Sequence, residues 1–231
     1  SNNLISFNKH NSHKKTPKII DILKSEKSVA LVSDAGLPSI CDPGEDLITE
    51  ARENGINIVC IPGPCAALTA LVSSGLPASK FTFEGFLPKK KSERKKILKE
   101  IYVNEKTTIL FESPHRLKKL LLELKECFGG KREIRVSREL TKKFEEQIGN
   151  DIDGVIDYFR EKEVLGEITL VIKGTNKESL ETSFDELELK RELHGLINAG
   201  LNLSKASKYL AKRHNHSKSV IYDRPFLKLS W

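Results

Sequence analysis

Three short segments of this chain combine small residues with groups that can accept, donate or move a proton: Ser33-Asp34-Ala35-Gly36, Pro62-Gly63-Pro64-Cys65 and Glu112-Ser113-Pro114-His115-Arg116. Glycine and alanine let the backbone come close to a ligand, so that main-chain amides and carbonyls read it without long side chains. Asp34 is the first acid after an apolar run and is placed to accept from a ligand hydroxyl or amine; the alternative is an Asx turn or a helix cap. Glu112, His115 and Arg116 offer an acid/base pair and a phosphate ligand, or else Glu112 caps a helix that starts after Pro114. Cys65 has no histidine beside it in sequence, which favours a small hydrophobe over a nucleophile. Arg138, Glu139 and Lys142, with Glu145 and Glu146 beyond, form another charged loop whose default reading is a solvated face. Neither a Walker A motif nor a GxGxxG occurs, so nucleotide hydrolysis on a phosphate-cradling loop lacks its usual signature.

The elements that must carry these segments follow from the apolar runs. Val29–Val32 and Ile56–Ile61 each end in a glycine turn and lead into a helical pattern, Glu45 to Glu53 and Cys65 to Ser74. Strand, turn and helix repeated at this spacing predict βα units of a parallel sheet. Thr107 to Phe111 is a third strand, followed by a helix from Arg116 to Phe128; Ile134 to Ser137 and Glu167 to Ile172 are two more. In open sheets of this kind ligands bind beyond the carboxyl ends of the strands, where the three segments fall. From Thr175 the texture turns polar and acidic through Lys190, which reads as a linker with a boundary near 175–185. Helices from Glu192 to Asn198 and Ser204 to Arg213 follow, then a short segment from Lys218 onward.

At 231 residues, 38% hydrophobic and 31% charged, the chain is long enough for a core and has no apolar run long enough to span a bilayer as a helix. Its four cysteines form no CxxC pair, which points to reduced thiols in a cytoplasm. The net charge of +7 permits an anionic partner. The charge is concentrated: Lys89, Lys90, Lys91, Arg94, Lys95, Lys96 and Lys99 stand against Glu93, and Lys205, Lys208, Lys212, Arg213, Lys218, Arg224 and Lys228 against Asp223. A basic run of this density is suited to phosphate, and lysines at a helix start, which oppose the helix dipole, favour an external anion.

The motifs Ser33 to Gly44, Ile61 to Ala67, Ser74 to Pro77, Phe83 to Pro88, Glu112 to Arg116, Arg138 to Lys142 and Gly166 to Leu170 resemble, in order, those of the ribosomal RNA small subunit methyltransferase I family, within the tetrapyrrole methylase superfamily. The resemblance implies a two-lobed α/β fold of the tetrapyrrole methylase kind with a small C-terminal helical domain. The expected limits are 1–78 for the lobe with the cofactor loops, 79–175 for the second lobe and 185–231 for the basic helical domain. It further implies S-adenosylmethionine as cofactor, the ribose 2′-hydroxyl of a decoding-region cytidine in 16S rRNA as acceptor, the rRNA or the 30S subunit as partner, a homodimer, and no membrane.

By carry-over, Ser33, Asp34, Ala35, Ile40, Cys65, Ala66, Phe111, Glu112, Leu140 and Ile168 would line the cofactor. Glu112 and His115 are the candidate bases or orienting groups. Lys89, Lys90, Arg94, Arg116, Lys205, Lys208, Lys212 and Arg213 are the candidate RNA contacts. The family's opening Thr-Pro-Ile-Gly-Asn-type loop and Glu-Asp-Thr-Arg segment do not occur, and Cys65 and Leu37 stand where serine and threonine are usual. Together with the absence of methionine, this predicts a chain without the family's first strand and one cofactor-side loop. A methylase of a tetrapyrrole precursor and a non-catalytic RNA-binding fragment are the alternatives.

Overall fold

A computed structural model describes residues 4–175 and 189–213. The chain divides into two compact units at Gly174/Thr175. In the first unit the order is α1 (Ser12–Lys24), α2 (Glu45–Glu53), α3 (Ala66–Ser74), β1 (Phe81–Phe86), α4 (Lys91–Val103), β2 (Thr107–Glu112), α5 (Pro114–Phe128), β3 (Ile134–Arg138), β4 (Glu146–Ile148), α6 (Ile152–Phe159) and β5 (Ile168–Ile172). In the second, α7 covers 189–198 and α8 is Leu203–Arg213. The expectations on 176–188 and from Lys218 onward lie outside the described residues.

The sheet has the order β1-β2-β5-β3-β4. It is mixed rather than parallel: β1 and β2 run together, but β5 lies antiparallel between β2 and β3. The cause is the path of the chain. Hairpin strand β4 carries it away from the end where β3 finishes, α6 brings it back, and the next strand must then run down again. That helix is well specified, because the Asp151 carboxylate caps it by accepting from the Gly154 N–H at 2.8 Å, and Ile152, Val155 and Phe159 bury one face.

Alternation along each strand separates two cores. On one face Leu110, Val136, Ile168, Leu170 and Ile172 pack with α4, α5 and α6, where Leu117, Leu120, Leu121 and Leu124 present the inner stripe of α5. On the other, Ile109 and Val171 pack with Ala67, Ala70 and Leu71 of α3. A smaller cluster joins Ile19 and Ile20 of α1 to Leu47 and Ala51 of α2. In the second unit Leu189, Leu193, Ala206, Leu210 and Ala211 form the core.

Two sequence expectations are corrected. Val29–Val32 and Ile56–Ile61 have no regular secondary structure and join no ladder among the described residues, and Val32, Val59 and Ile61 are 80%, 72% and 75% exposed. Their hydrophobicity suits a strand buried on both faces, but a strand also needs a neighbour to take up its backbone groups, which periodicity cannot supply. Conversely β1, β4, α1 and α6 have no counterpart among the expected elements. Leu120→Ala, at a side chain with no exposure in the main core, is expected to lower unfolding free energy by about 2–5 kcal/mol in a denaturant titration.

Candidate active site

Register places the ends of three strands together. Phe86 stands opposite Phe111, Glu112 opposite Ile168, and Ile168 opposite Arg138. The turn through Glu139 and Leu140 therefore leaves the sheet at the same end as the loop entering α5. The two glycine loops reach this end as well. A side-chain carbon added at Gly36 would lie 3.6 Å from the Pro64 carbonyl oxygen, so the loops touch, and one added at Gly85 would lie 3.0 Å from the Cys41 sulfur, so the first loop also reaches β1.

On the α3 face the expected cofactor residues from separate segments converge. Cys65, Phe111 and Leu140, together with Phe83, pack against the α3 cluster. Phe111 meets Phe83 and Phe86 edge-on at ring separations of 5.0 and 5.7 Å. Cys65 is the residue before α3, Ala66 is its exposed first residue, and burial pushes the neighbouring Cys41 thiol up. The Ser33 hydroxyl donates to the Gly36 carbonyl at 2.9 Å and so folds its own turn. Asp34 is exposed and engages no described residue, so the capping alternative is not realised; Ala35 and Ile40 are exposed beside it.

Backbone strain gathers in the same place. Of the non-glycine residues with positive φ, Ser39 and Cys41 lie in the first loop and Glu139 and Thr141 flank Leu140. Such conformations cost about 1–3 kcal/mol each and persist only where the surrounding structure fixes them. At Gly44, φ is +158° and a side chain would collide with Ser39 at 2.2 Å, so only glycine closes the first loop. Around Leu140 the fixing interactions are explicit. The Glu139 N–H donates to the Glu167 carbonyl at 3.0 Å, and the Glu167 N–H donates back to the Glu139 carboxylate at 2.8 Å. Lys142 joins both carboxylates at 3.1 and 3.0 Å. The Glu167 N–H first, and then Lys142, hold the Glu139 carboxyl below its ordinary value.

Glu112 and Ile168 turn the other way, toward α4 and α5. Ile168 packs in the main core, so only its backbone faces the rim. Glu112 is fully buried: its Oε1 accepts from the Ser113 N–H at 2.8 Å and from Arg116 Nε and Nη2 at 2.7 and 2.5 Å. Its Oε2 faces Arg94 Nη2 at 3.5 Å, and Arg94 Nε donates to Glu123. Arg94, expected on phosphate, is thus buried between two carboxylates, because it shares the inward stripe of α4 with Leu98 and Ile101. Arg116 is partly buried on Glu112 and reaches the Leu87 carbonyl at 3.5 Å. Neither Glu123 nor Leu87 stands out in the sequence, although the spacing of Arg94, Leu98 and Ile101 marks a buried face.

His115 is exposed in the first turn of α5. Lys89 and Lys90 are exposed, Lys90 pairing with Glu93 at 2.8 Å, and Lys91, Lys95 and Lys99 form an outward stripe one turn apart. In the second unit Lys205, Lys208 and Lys212 are exposed on α8, and Arg213 lies 3.5 Å from Glu192. Among the described residues no group of three histidine, cysteine or acidic side chains is disposed to hold a metal ion.

Residues 6–154 match the family described as tetrapyrrole (corrin/porphyrin) methylases. The chain is 41% identical over 228 residues to the ribosomal RNA small subunit methyltransferase I of Bacillus subtilis, a match covering 97% of this chain and 78% of that protein. The protein of the same name in Synechocystis is 40% identical, over 95% of this chain and 78% of its own length. That of Vibrio cholerae is 39% identical, over 96% and 77%. Among solved structures the methyltransferase CobJ superposes with a TM-score of 0.53 at 16% identity, over 70% of this chain and 71% of its own. Diphthine synthase superposes with a TM-score of 0.53 at 14% identity, over 73% and 68%. These likenesses show the fold.

The geometry around Leu140 sets a pH dependence. Because the folded pKa of Glu139 is depressed, its contribution is complete above the ordinary glutamate value of about 4.3 and is lost as pH falls through the lowered folded value. The Glu167 amide resonance is expected to titrate in that acid range and to become insensitive in Glu139→Gln.

Proposed function

The chain belongs to the ribosomal RNA small subunit methyltransferase I family of tetrapyrrole methylases, and from that membership we propose that it methylates the ribose 2′-hydroxyl of a cytidine in the decoding region of 16S rRNA, using S-adenosylmethionine. The observation that supports this most directly is the division of labour at the end of β2. Phe111 faces the small-residue loops on one side of the sheet, while the lysine-bearing segment before α4 is tied to Glu112 on the other.

The residues on the α3 face fit such a cofactor. Ser33, Asp34, Ala35 and Ile40 from the first loop, Cys65 and Ala66 from the second, and Phe111 and Leu140 from the strand ends offer an unpaired carboxylate, exposed main chain and an aromatic wall. When bound, S-adenosylmethionine supplies a methyl group made electrophilic by its sulfonium. The chain supplies the rest. Asp34 accepts from hydroxyls or an amine of the cofactor, and the fixed loops hold it so that most of the rate comes from positioning. The acceptor hydroxyl must lose its proton, because a neutral alcohol is a poor nucleophile. Of the two candidate bases, the Glu112 side chain is wholly buried beside Arg116 and Arg94, whereas His115 is exposed in the first turn of α5, which favours His115 to take or orient that proton.

Phosphates of the RNA lie on Lys89 and Lys90 and along the Lys91, Lys95 and Lys99 stripe, with Arg116 at its inner edge. In the second unit Lys205, Lys208, Lys212 and Arg213 offer further cations to the RNA. The substrate is 16S rRNA, free or within the 30S subunit, and the location is cytoplasmic. No helix among the described residues is long and apolar enough to cross a membrane. A homodimer is supported by Leu68 and Val72, exposed one turn apart on the largely apolar α3.

The test is methyl transfer from radiolabelled S-adenosylmethionine to 30S subunits, with uroporphyrinogen as the competing acceptor. Label in 16S rRNA at a 2′-O position is expected; label in the tetrapyrrole, or none in either with RNA binding retained, would sink the proposal. Asp34→Ala is expected to weaken S-adenosylhomocysteine binding in calorimetry by about tenfold, the loss of one charge-assisted hydrogen bond. His115→Ala is expected to lower kcat by about 10²-fold or more, the ordinary contribution of a general base. Replacing Lys91, Lys95 and Lys99 together with alanine is expected to flatten the salt dependence of RNA binding, by about 0.7–0.9 in log–log slope for each phosphate left unneutralised.

A further inference from the structure

Glu112 receives the ends of two bridges that lead to the same stretch of chain. From Oε1, Arg116 runs to the Leu87 carbonyl; from Oε2, Arg94 stands 3.5 Å away and continues to Glu123 on α5. Leu87 and Arg94 bound the segment that carries Lys89, Lys90 and Lys91. Both ends of that segment are therefore anchored on one carboxylate, which is itself buried in the last residue of β2. The preceding residue, Phe111, forms part of the rim on the opposite face, and Phe86, next to Leu87, meets its ring.

We propose that Glu112 is a positioning residue: through Arg116 and Arg94 it sets the place of the lysine-bearing segment from Leu87 to Arg94 relative to the end of β2, so that RNA held on that segment is aligned with the cofactor loops across the sheet. The inference rests on the RNA methyltransferase reading given above. Arg94 in this role works as a buried cation between two carboxylates, hydrogen-bonded to Glu123 and ion-paired with Glu112 at 3.5 Å, rather than as a surface charge. A lysine would have to serve both carboxylates from a single nitrogen on a flexible stem, whereas Arg94 meets them with two nitrogens held at a fixed separation, Nε on Glu123 and Nη2 facing Glu112.

The experiment compares the full chain with Arg94→Lys, Arg94→Met and Arg116→Lys. It reads methyl transfer to 30S subunits, S-adenosylhomocysteine affinity, melting temperature and amide hydrogen exchange at residues 89–91. The expected result is that Arg94→Lys falls as far as Arg94→Met, by about tenfold or more in kcat/KM for the subunit, the scale on which misplacement costs rate. Cofactor affinity should be unchanged, and exchange at 89–91 should quicken in all three variants relative to β5. Near-wild-type activity in Arg94→Lys with a deficit in Arg94→Met would make Arg94 a simple charge partner and overturn the proposal. A lower melting temperature with kcat/KM and exchange at 89–91 unaltered would reduce the network to packing and overturn it too. If the wild-type chain itself transfers no methyl group to subunits, the enzymatic reading fails separately. The exchange measurement, which needs no activity, still decides whether the anchor positions the segment.

Discussion

A carboxylate taken out of water must find compensating charge and hydrogen bonds, and Glu112, at the end of β2, is the one buried acid among the described residues. Its charge is met by Arg116 of α5 and Arg94 of α4, and those two guanidinium groups in turn engage Glu123 of α5 and the Leu87 carbonyl after β1. Removing one partner of such a network leaves an unpaired charge inside, at a cost of about 3–5 kcal/mol. The relative placement of these elements is thus fixed by one side chain as well as by the leucine stripe beneath them.

The period of a β-strand then decides what each part of the site can do. Leu110 and Glu112 point to the α4–α5 layer, whereas Ile109 and Phe111 point to α3. Consecutive residues of one motif are in this way assigned to opposite faces. The face with α3 offers small residues, main chain and strained turns, suited to holding a compact ligand closely. The face with α4 and α5 offers long cations at the surface and a buried ionic network beneath, suited to a polyanion.

Much of this is legible in the sequence, and the gaps have physical causes. β2, β3, β5, α2, α3 and α5 announce themselves because a dense apolar run or a helical stripe is buried where it lies. β1 carries Phe81, Thr82, Phe83 and Phe86 around a bulge between Phe83 and Gly85, which breaks the alternation that would identify it. α1 is mostly polar, with Pro17 in its interior, and only Thr16, Ile19 and Ile20 are buried. The runs at 29–32 and 56–61 look like strands because hydrophobicity reports a capacity for burial, while a ladder depends on a neighbour. The glycine loops, Cys65, Phe111 and Leu140 are recognisable from residue type alone. Arg94 is the opposite case: seven cations in twelve residues suggest a solvated face, and only its spacing from Leu98 and Ile101 shows that one of them turns inward.

Stability alone does not explain why a charged fork sits at this position. Apolar side chains of similar volume often fill such a site without penalty, since the attraction between buried charges barely repays their desolvation. What leucines would not supply is direction. Hydrophobic packing decides which stripe of a helix turns inward but aims no individual atom, whereas guanidinium groups aimed at separate acceptors fix where Leu87 and Arg94 stand. The strained loops beyond Phe111 make the same exchange in backbone form, with Glu139 and Lys142 holding a costly turn so that Leu140 faces α3. A reaction whose rate comes from alignment needs both of its partners held from fixed points. The end of β2 is where this fold brings those points within one residue of each other.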